Sequence, residues 1–290
     1  MTTFTWLKGH GTENDFVLLP DPDGTVHGDL DPAFVAALCD RRRGIGADGV
    51  LRVIRTAAMA EHGYAGVDPA AAEWFMDYRN ADGSVAEMCG NGIRVFARYL
   101  ADEGLVDPSA PVPVGTRDGV KLLSYGGPSG VEPVETIAAD MGVPALLGES
   151  KVEAEGRTWV ARHVDVGNPH AVAFVDDLAD AGSLLTEPAY DAAVYPHGVN
   201  IEFVERRGPR HVGMRVHERG AGETRSCGTG AVAVALASAA ADGADPADGD
   251  VTYRVDVPGG TLHITWRADG HAVLAGPAVI IARGDLTWLG

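Results

Sequence analysis

A chain of 290 residues, 46% hydrophobic and 22% charged, can bury one large core or two ordinary ones, and no apolar run approaches the roughly 20 residues that cross a bilayer. Its 23 Lys and Arg against 41 Asp and Glu leave a net charge of −18, which repels nucleic acid and anionic membrane surfaces but leaves room for a small anionic substrate at a locally cationic site. The three cysteines are too few, and odd in number, for a disulfide framework, and the N-terminus shows no basic segment followed by an apolar stretch, so a cytoplasmic protein with thiols available for chemistry is expected.

Along the chain, Asp31 reads as an N-cap and Pro32 as the first residue of a helix that carries Phe34, Val35 and Leu38 on one face and stops near Gly44. Cys39 on this helix reads as a core residue. Residues 57–72, rich in Ala and Gly with Pro69, read as a surface loop, and Trp74 to Tyr78 as a strand. A second helix opens at Cys89-Gly90-Asn91-Gly92, has Ile93, Phe96, Ala97 and Leu100 at helical spacing, and ends at Gly104. Hairpins are expected at Asp118-Gly119, at Glu155-Gly156 between alternating runs, at Gly259-Gly260 and at Asp269-Gly270, so antiparallel sheet is the main scaffold. The Gly- and Pro-rich stretch from Gly126 to Pro133 reads as a junction. A third helix opens at Cys227-Gly228-Thr229-Gly230, is apolar on nearly every side from Ala231 to Ala240, and is therefore expected to be buried.

The two Cys-Gly phrases lie 227 − 89 = 138 residues apart, about half the chain, and each follows a strand. Asn14-Asp15-Phe16-Val17 has a counterpart in Asn168-Pro169-His170-Ala171-Val172. Two homologous halves explain this most economically: an α+β protein of two pseudo-symmetric, strand-rich domains, each around a central helix, with a cleft between them. The halves are placed at 1–132, with 277–290 packing back on it, and 133–276.

A helix N-terminus presents unpaired N–H groups and partial positive charge, so a cysteine there is expected to have a stabilised thiolate, and the same amides can hold a carboxylate. Two such cysteines facing one carbon would remove a proton from one face and supply one to the other. A simple turn explains one Cys-Gly-x-Gly but poorly explains two. Metal binding lacks ligand spacing around His211 and His217, and a redox pair would sit close in sequence. No cofactor is expected: only Lys8, Lys121 and Lys151 are available for a Schiff base, all in strand or turn surroundings, and Gly44-Ile45-Gly46-Ala47-Asp48-Gly49 follows a helix where a dinucleotide loop would open one.

In order along the chain, Gly11-Thr12-Glu13-Asn14-Asp15-Phe16, Arg43 to Gly49, Arg79-Asn80-Ala81-Asp82-Gly83-Ser84, Met88 to Gly92, Gly167-Asn168-Pro169-His170, Val199-Asn200 and Glu218-Arg219-Gly220-Ala221-Gly222-Glu223-Thr224 leading into Ser226 to Ala231 resemble diaminopimelate epimerases. Cys-Gly-x-Gly is shared with the related proline racemases, and the Glu-Arg-Gly-Ala-Gly-Glu-Thr run is far more specific. The resemblance implies cofactor-independent interconversion of LL- and meso-2,6-diaminopimelate, ahead of lysine and cell-wall cross-links. It implies Cys89 and Cys227 as base and acid, and the amides of Gly90, Asn91, Gly228 and Thr229 around the reacting carboxylate. It gives Asn14, Asn80, Asn168, Asn200, Glu218 and Arg219 the distal amino acid centre or the frame of the site, and His170 and Glu218 a bias on the thiols. The partner is then a small molecule, and a homodimer is left open. Two departures stand out: Gly49, where some relatives have Gln, and Thr12-Glu13, where Leu-Gly is common.

A proline or hydroxyproline racemase of the same fold is the alternative, although its substrate leaves Arg219 without a second amino acid centre to read. A non-catalytic amino acid binding protein is a third reading, and the presence of both cysteines argues against it. Two low-pKa thiols at one small site also predict oxidative loss of activity that dithiothreitol restores, provided the Cα atoms approach within roughly 7 Å.

Overall fold

The computed structural model describes residues 2–126 and 136–288, so the expected junction lies outside the described residues from position 127 onward. The chain forms two compact units, Met1–Ala139 with Pro277–Gly290, and Asp140–Gly276.

The first unit contains β1 (Thr2–Gly11), β2 (Asn14–Pro20), α1 (Pro32–Cys39), β3 (Gly49–Arg55), α2 (Thr56–Glu61), β4 (Trp74–Asn80), α3 (Gly90–Asp102), β5 (Val112–Thr116), β6 (Gly119–Tyr125), β7 (Thr136–Asp140, whose last residue belongs to the second unit) and the last strand of the chain, Val279–Trp288. That last strand pairs antiparallel with β1, which pairs antiparallel with β2. The order continues through parallel β2–β3, antiparallel β3–β4, parallel β4–β5 and antiparallel β5–β6–β7.

The second unit contains β8 (Ala145–Ala154), β9 (Arg157–Asp165), β10 (Pro169–Val175), β11 (Ala189–Tyr190), β12 (Asn200–Gly208), β13 (His211–Glu218), β14 (Gly222–Thr224), α4 (Gly228–Ala241), β15 (Val251–Val257), β16 (Gly260–Trp266) and β17 (Ala272–Pro277). Its ladder repeats the first: β8–β9–β10 antiparallel, β10–β12 parallel, β12–β13 antiparallel, β13–β15 parallel, then β15–β16–β17 antiparallel. The parallel steps need a crossover, and in each unit the second of the two parallel steps is made through the long helix, α3 before β5 and α4 before β15. The repeated Cys-Gly phrase therefore marks the same topological position twice.

Burial explains the helices. From Gly90 to Leu100 every residue of α3 except Arg98 is buried, and it packs against β1, β2, β3 and β4. In α4 the small side chains from Ala231 to Ala239 are buried on all sides, the all-round apolarity expected of an enclosed helix. At about 1.5–3 kcal/mol for each large apolar side chain buried, Ile93, Phe96 and Leu100 anchor the first unit.

Two sequence expectations need correction. The helix capped by Asp31 stops at Cys39, well before Gly44, because Asp40 turns to extended geometry and its carboxylate captures the amides of Arg42 and Arg43. Residues 57–72 are not all surface loop: α2 occupies the start, and Met59, Val67 and Ala72 pack with Ile54 and Phe75 in a separate apolar cluster. Alanine-rich composition fits a short helix as readily as a loop. Cys39 lies in the core, where burial first, then the carboxylates of Asp15 and Asp48, push its thiol up to about 11. Among the described residues no helix is long and apolar enough to cross a membrane.

Candidate active site

Cys89 and Cys227 occupy the N-cap positions of α3 and α4 in extended backbone geometry, and each sulfur accepts the amide of the third residue on: Gly92 N to Cys89 Sγ at 3.4 Å, Gly230 N to Cys227 Sγ at 3.3 Å. A thiol thus takes the place that Ser or Asp usually fills in satisfying an orphan amide, and faces the positive end of the helix.

Behind Cys89 runs a chain of amides. Asn14, at the start of β2, places Oδ1 3.8 Å from Cys89 Sγ, where it accepts from the thiol, and 3.1 Å from Asn91 Nδ2. Asn91 Oδ1 accepts from Arg94 Nη2 at 3.1 Å, and Asn14 Nδ2 donates to Asp48 Oδ2 at 2.8 Å. Asp48 is held by Arg41, which also grips Asp15; burial lifts the Asp15 carboxyl, but Arg41 and Lys8 override that and hold it down at about 2. Asn80 closes β4, its Nδ2 donating to Ser84 Oγ at 2.9 Å.

Behind Cys227 the chain has other members. Thr229 Oγ1 is 3.6 Å from Cys227 Sγ and 3.5 Å from Asn168 Nδ2; Asn168 Oδ1 is 3.0 Å from His170 Nε2, and His170 Nδ1 is 2.6 Å from Glu202 Oε1. His170 and Glu202 are both fully buried. Asn200, beside His170 in the parallel β10–β12 register, accepts from the Arg219 amide at 3.0 Å and donates to Pro169 O at 3.1 Å. It therefore fixes the turn bearing Glu218 and Arg219. Arg219 Nη1 reaches His197 O at 3.2 Å, and Glu218 Oε1 accepts from Thr224 Oγ1.

The expectation that both thiols are acidified fails at Cys227. Burial first, then the Glu218 and Glu202 carboxylates, raise that thiol well above its ordinary value, outweighing the Thr229 and Gly230 hydrogen bonds.

A family model described as diaminopimelate epimerase matches residues 6–144 and 162–281. The chain belongs to the diaminopimelate epimerase family. It is 57% identical to the diaminopimelate epimerase of Streptomyces coelicolor over 295 aligned positions, covering 99% of this chain and 98% of that one. Solved structures share the fold: a Bacillus anthracis phenazine biosynthesis protein of the PhzF family (15% identity, TM-score 0.69, 99% and 100% coverage) and a probable proline racemase from Agrobacterium radiobacter K84 (14%, 0.66, 99% and 93%).

Of the two departures from the diaminopimelate epimerase motifs, the structure accounts for Gly49. A Cβ at Gly49 would lie 2.6 Å from Arg79 O and 2.8 Å from the Tyr78 ring, so this site has no room for a longer side chain without displacing backbone. Thr12 and Glu13 both take positive φ, 48° and 63°, in the two-residue turn joining β1 to β2, a strained choice where Asn or Gly is usual. Thr12 Oγ1 sits 3.4 Å from Arg94 Nη2.

Arg94 and Glu202 lie outside the family motifs, and Asp48 lies within Arg43 to Gly49 without a role assigned to it. Alternation along β12 carries a signal for Glu202, since it shares a face with Asn200 and stands as a lone acid in Val199-Asn200-Ile201-Glu202-Phe203-Val204. Arg94 interrupts the apolar run Ile93-Arg94-Val95-Phe96 of α3, and unlike Arg98 further along the helix it is buried.

Proposed function

We propose that the chain epimerises LL-2,6-diaminopimelate to meso-2,6-diaminopimelate without a cofactor, one thiolate removing the α-proton and the opposing thiol returning one to the other face. The observation that carries this reading is the duplicated thiol N-cap at Cys89 and Cys227, on a chain 57% identical to a diaminopimelate epimerase. A two-base inversion requires both sulfurs to reach the same carbon, and the buried Cys227 thiol, kept protonated by burial, Glu218 and Glu202, suits the acid's part while Cys89 takes the base's.

In this proposal the amides of Gly90 and Asn91 and of Gly228 and Thr229 hold the reacting carboxylate at two positive helix ends. Asn14, Asn80, Asn168, Asn200, Glu218 and Arg219 bind the distal ammonium and carboxylate or frame them, with Arg219 as the fork for the carboxylate. His170 and Glu218 bias the thiols. In this reading the protein works in the cytoplasm on a small-molecule substrate.

In deuterated water the enzyme is expected to place deuterium at the α-carbon of diaminopimelate, and Cys89→Ala or Cys227→Ala to cut epimerisation by at least about a hundredfold. Full turnover by either variant rules out two-base chemistry. Faster turnover of proline than of diaminopimelate selects the racemase reading, and tight binding without proton exchange selects a binding protein.

A further inference from the structure

The structure assigns Arg94 as the buried counter-charge of the Cys89 thiolate, a positioning residue that acts through Asn91 and Asn14 without touching substrate. Its side chain is wholly buried in α3, five residues beyond Cys89, and the charge that acts on it is that of Cys89, not a carboxylate. Nη2 donates to Asn91 Oδ1 and Thr12 Oγ1, whereas Nε and Nη1 are buried with no hydrogen-bond partner. An unpaired cation in a core is costly, so it persists where a negative charge appears nearby in some state of the protein.

The charged groups on the strands packed against α3 are occupied elsewhere. Lys8 pairs with Asp15, Arg52 and Arg79 pair with Asp77, and Arg55 pairs with Asp23 and Glu73. On the last strand, β18, Arg283 pairs with Glu103 and Asp285 accepts from Thr5 Oγ1; His10 Nδ1 accepts the Glu13 amide, and on α3 itself Arg98 pairs with Asp102. The charge that pulls against burial at Arg94 is Cys89: burial draws the guanidinium down to about 10, still cationic at neutral pH, and the ionised sulfur raises it again.

Donor and acceptor chemistry makes the chain of amides directional. A guanidinium only donates, so Asn91 must turn Oδ1 toward Arg94 and Nδ2 toward Asn14; an ionised Asp48 only accepts, so Asn14 must turn Nδ2 toward it and Oδ1 toward Asn91 and Cys89. Asn14 Oδ1 thereby receives the S–H of the protonated thiol, while the Arg94 charge and the helix end favour the ionised one. A residue that alternates between base and acid needs both forms within reach.

The assignment rests on the epimerase reading only for its effect on turnover; the thiol chemistry is read directly. Iodoacetamide labelling of Cys89 in Cys227→Ala protein, followed by peptide mass spectrometry from pH 5 to 10, gives the pH of half-maximal rate. That midpoint is expected below the ordinary cysteine value of about 8.5, to rise by about one unit or more in Arg94→Met and Arg94→Gln, and to stay within about half a unit in Arg94→Lys. Gln can still donate to Asn91, so Lys surpassing Gln isolates charge from hydrogen bonding. With Cys227 present, Arg94→Met is expected to lower kcat at least about tenfold with little change in KM. A midpoint at or above about 8.5 in protein with Arg94 intact overturns the assignment even if every Arg94 variant fails to fold. An unchanged midpoint in folded Arg94→Met, or Lys no better than Gln, also overturns it. Midpoints as expected with no exchange into diaminopimelate would remove the epimerase reading and leave Arg94 in place.

Discussion

Cys89 and Cys227 cap α3 and α4 with nearly the same sulfur-to-amide distance, 3.4 and 3.3 Å, at the same step of a repeated strand order. What stands behind them differs in sign. Asn91 and Asn14 connect Cys89 to the cation Arg94, whereas Thr229, Asn168 and His170 connect Cys227 to the anion Glu202. Backbone duplication supplies two equivalent amide nests, and side chains buried one layer deeper give them unequal electrostatics. An acid and a base can thus be made from the same residue type.

Of the residues that set the two caps apart, Glu202 should matter most. Glu202→Gln keeps the size and an acceptor for His170 but removes a charge from a fully buried pair, so stability should fall by up to about 3 kcal/mol in urea unfolding. The Cys227 labelling profile should move to lower pH, since one of the two carboxylates that hold the proton on sulfur is gone. A profile that stays in place would mean that Glu202 supports the fold alone.

The matched glycines of the two caps should differ by less. A Cβ at Gly230 would lie 2.7 Å from Glu202 Oε1 and 3.2 Å from Cys227 Sγ; at Gly92 its nearest neighbour is Leu51 Cδ2 at 3.2 Å, the end of a side chain that can rotate. Gly230→Ala is therefore expected to cost about 1–3 kcal/mol and most of the activity, and Gly92→Ala less than about 1 kcal/mol. Equal losses would show that the two nests are equally tight and that the Glu202 carboxylate does not crowd the second.

Much of the fold was legible because it is written in short-range pattern. The Asp31-Pro32 cap, the hairpin at Glu155-Gly156 and the two Cys-Gly helix starts all rest on local chemistry that the sequence displays directly. The order of strands was not legible, because parallel steps such as β2–β3 and β10–β12 are set by long crossovers, and α2 was hidden in a segment whose Ala content favours neither loop nor helix decisively. At the candidate site the motifs reached Asn14, Asn91, Asn168 and His170 but not the charges behind them. Arg94 and Glu202 interrupt apolar stretches, and only their depth in the packed structure shows that neither charge has solvent to fall back on. The acidified pair of thiols expected from helix ends alone was wrong at Cys227 for the same reason, since burial and two carboxylates outweigh the partial charge of a helix terminus.

The most direct test titrates the two thiols separately, Cys89 in Cys227→Ala protein and Cys227 in Cys89→Ala protein, by the pH dependence of iodoacetamide labelling. Using the midpoint instead of the absolute rate cancels the difference in access between a half-buried and a buried sulfur. The opposite charges behind the two caps predict that Cys89 reaches half-maximal rate at the lower pH, with the Cys227 midpoint pushed well above that of an ordinary cysteine. Coincident midpoints, or Cys227 ionising first, would contradict the claim that buried side chains break the symmetry of the repeated fold.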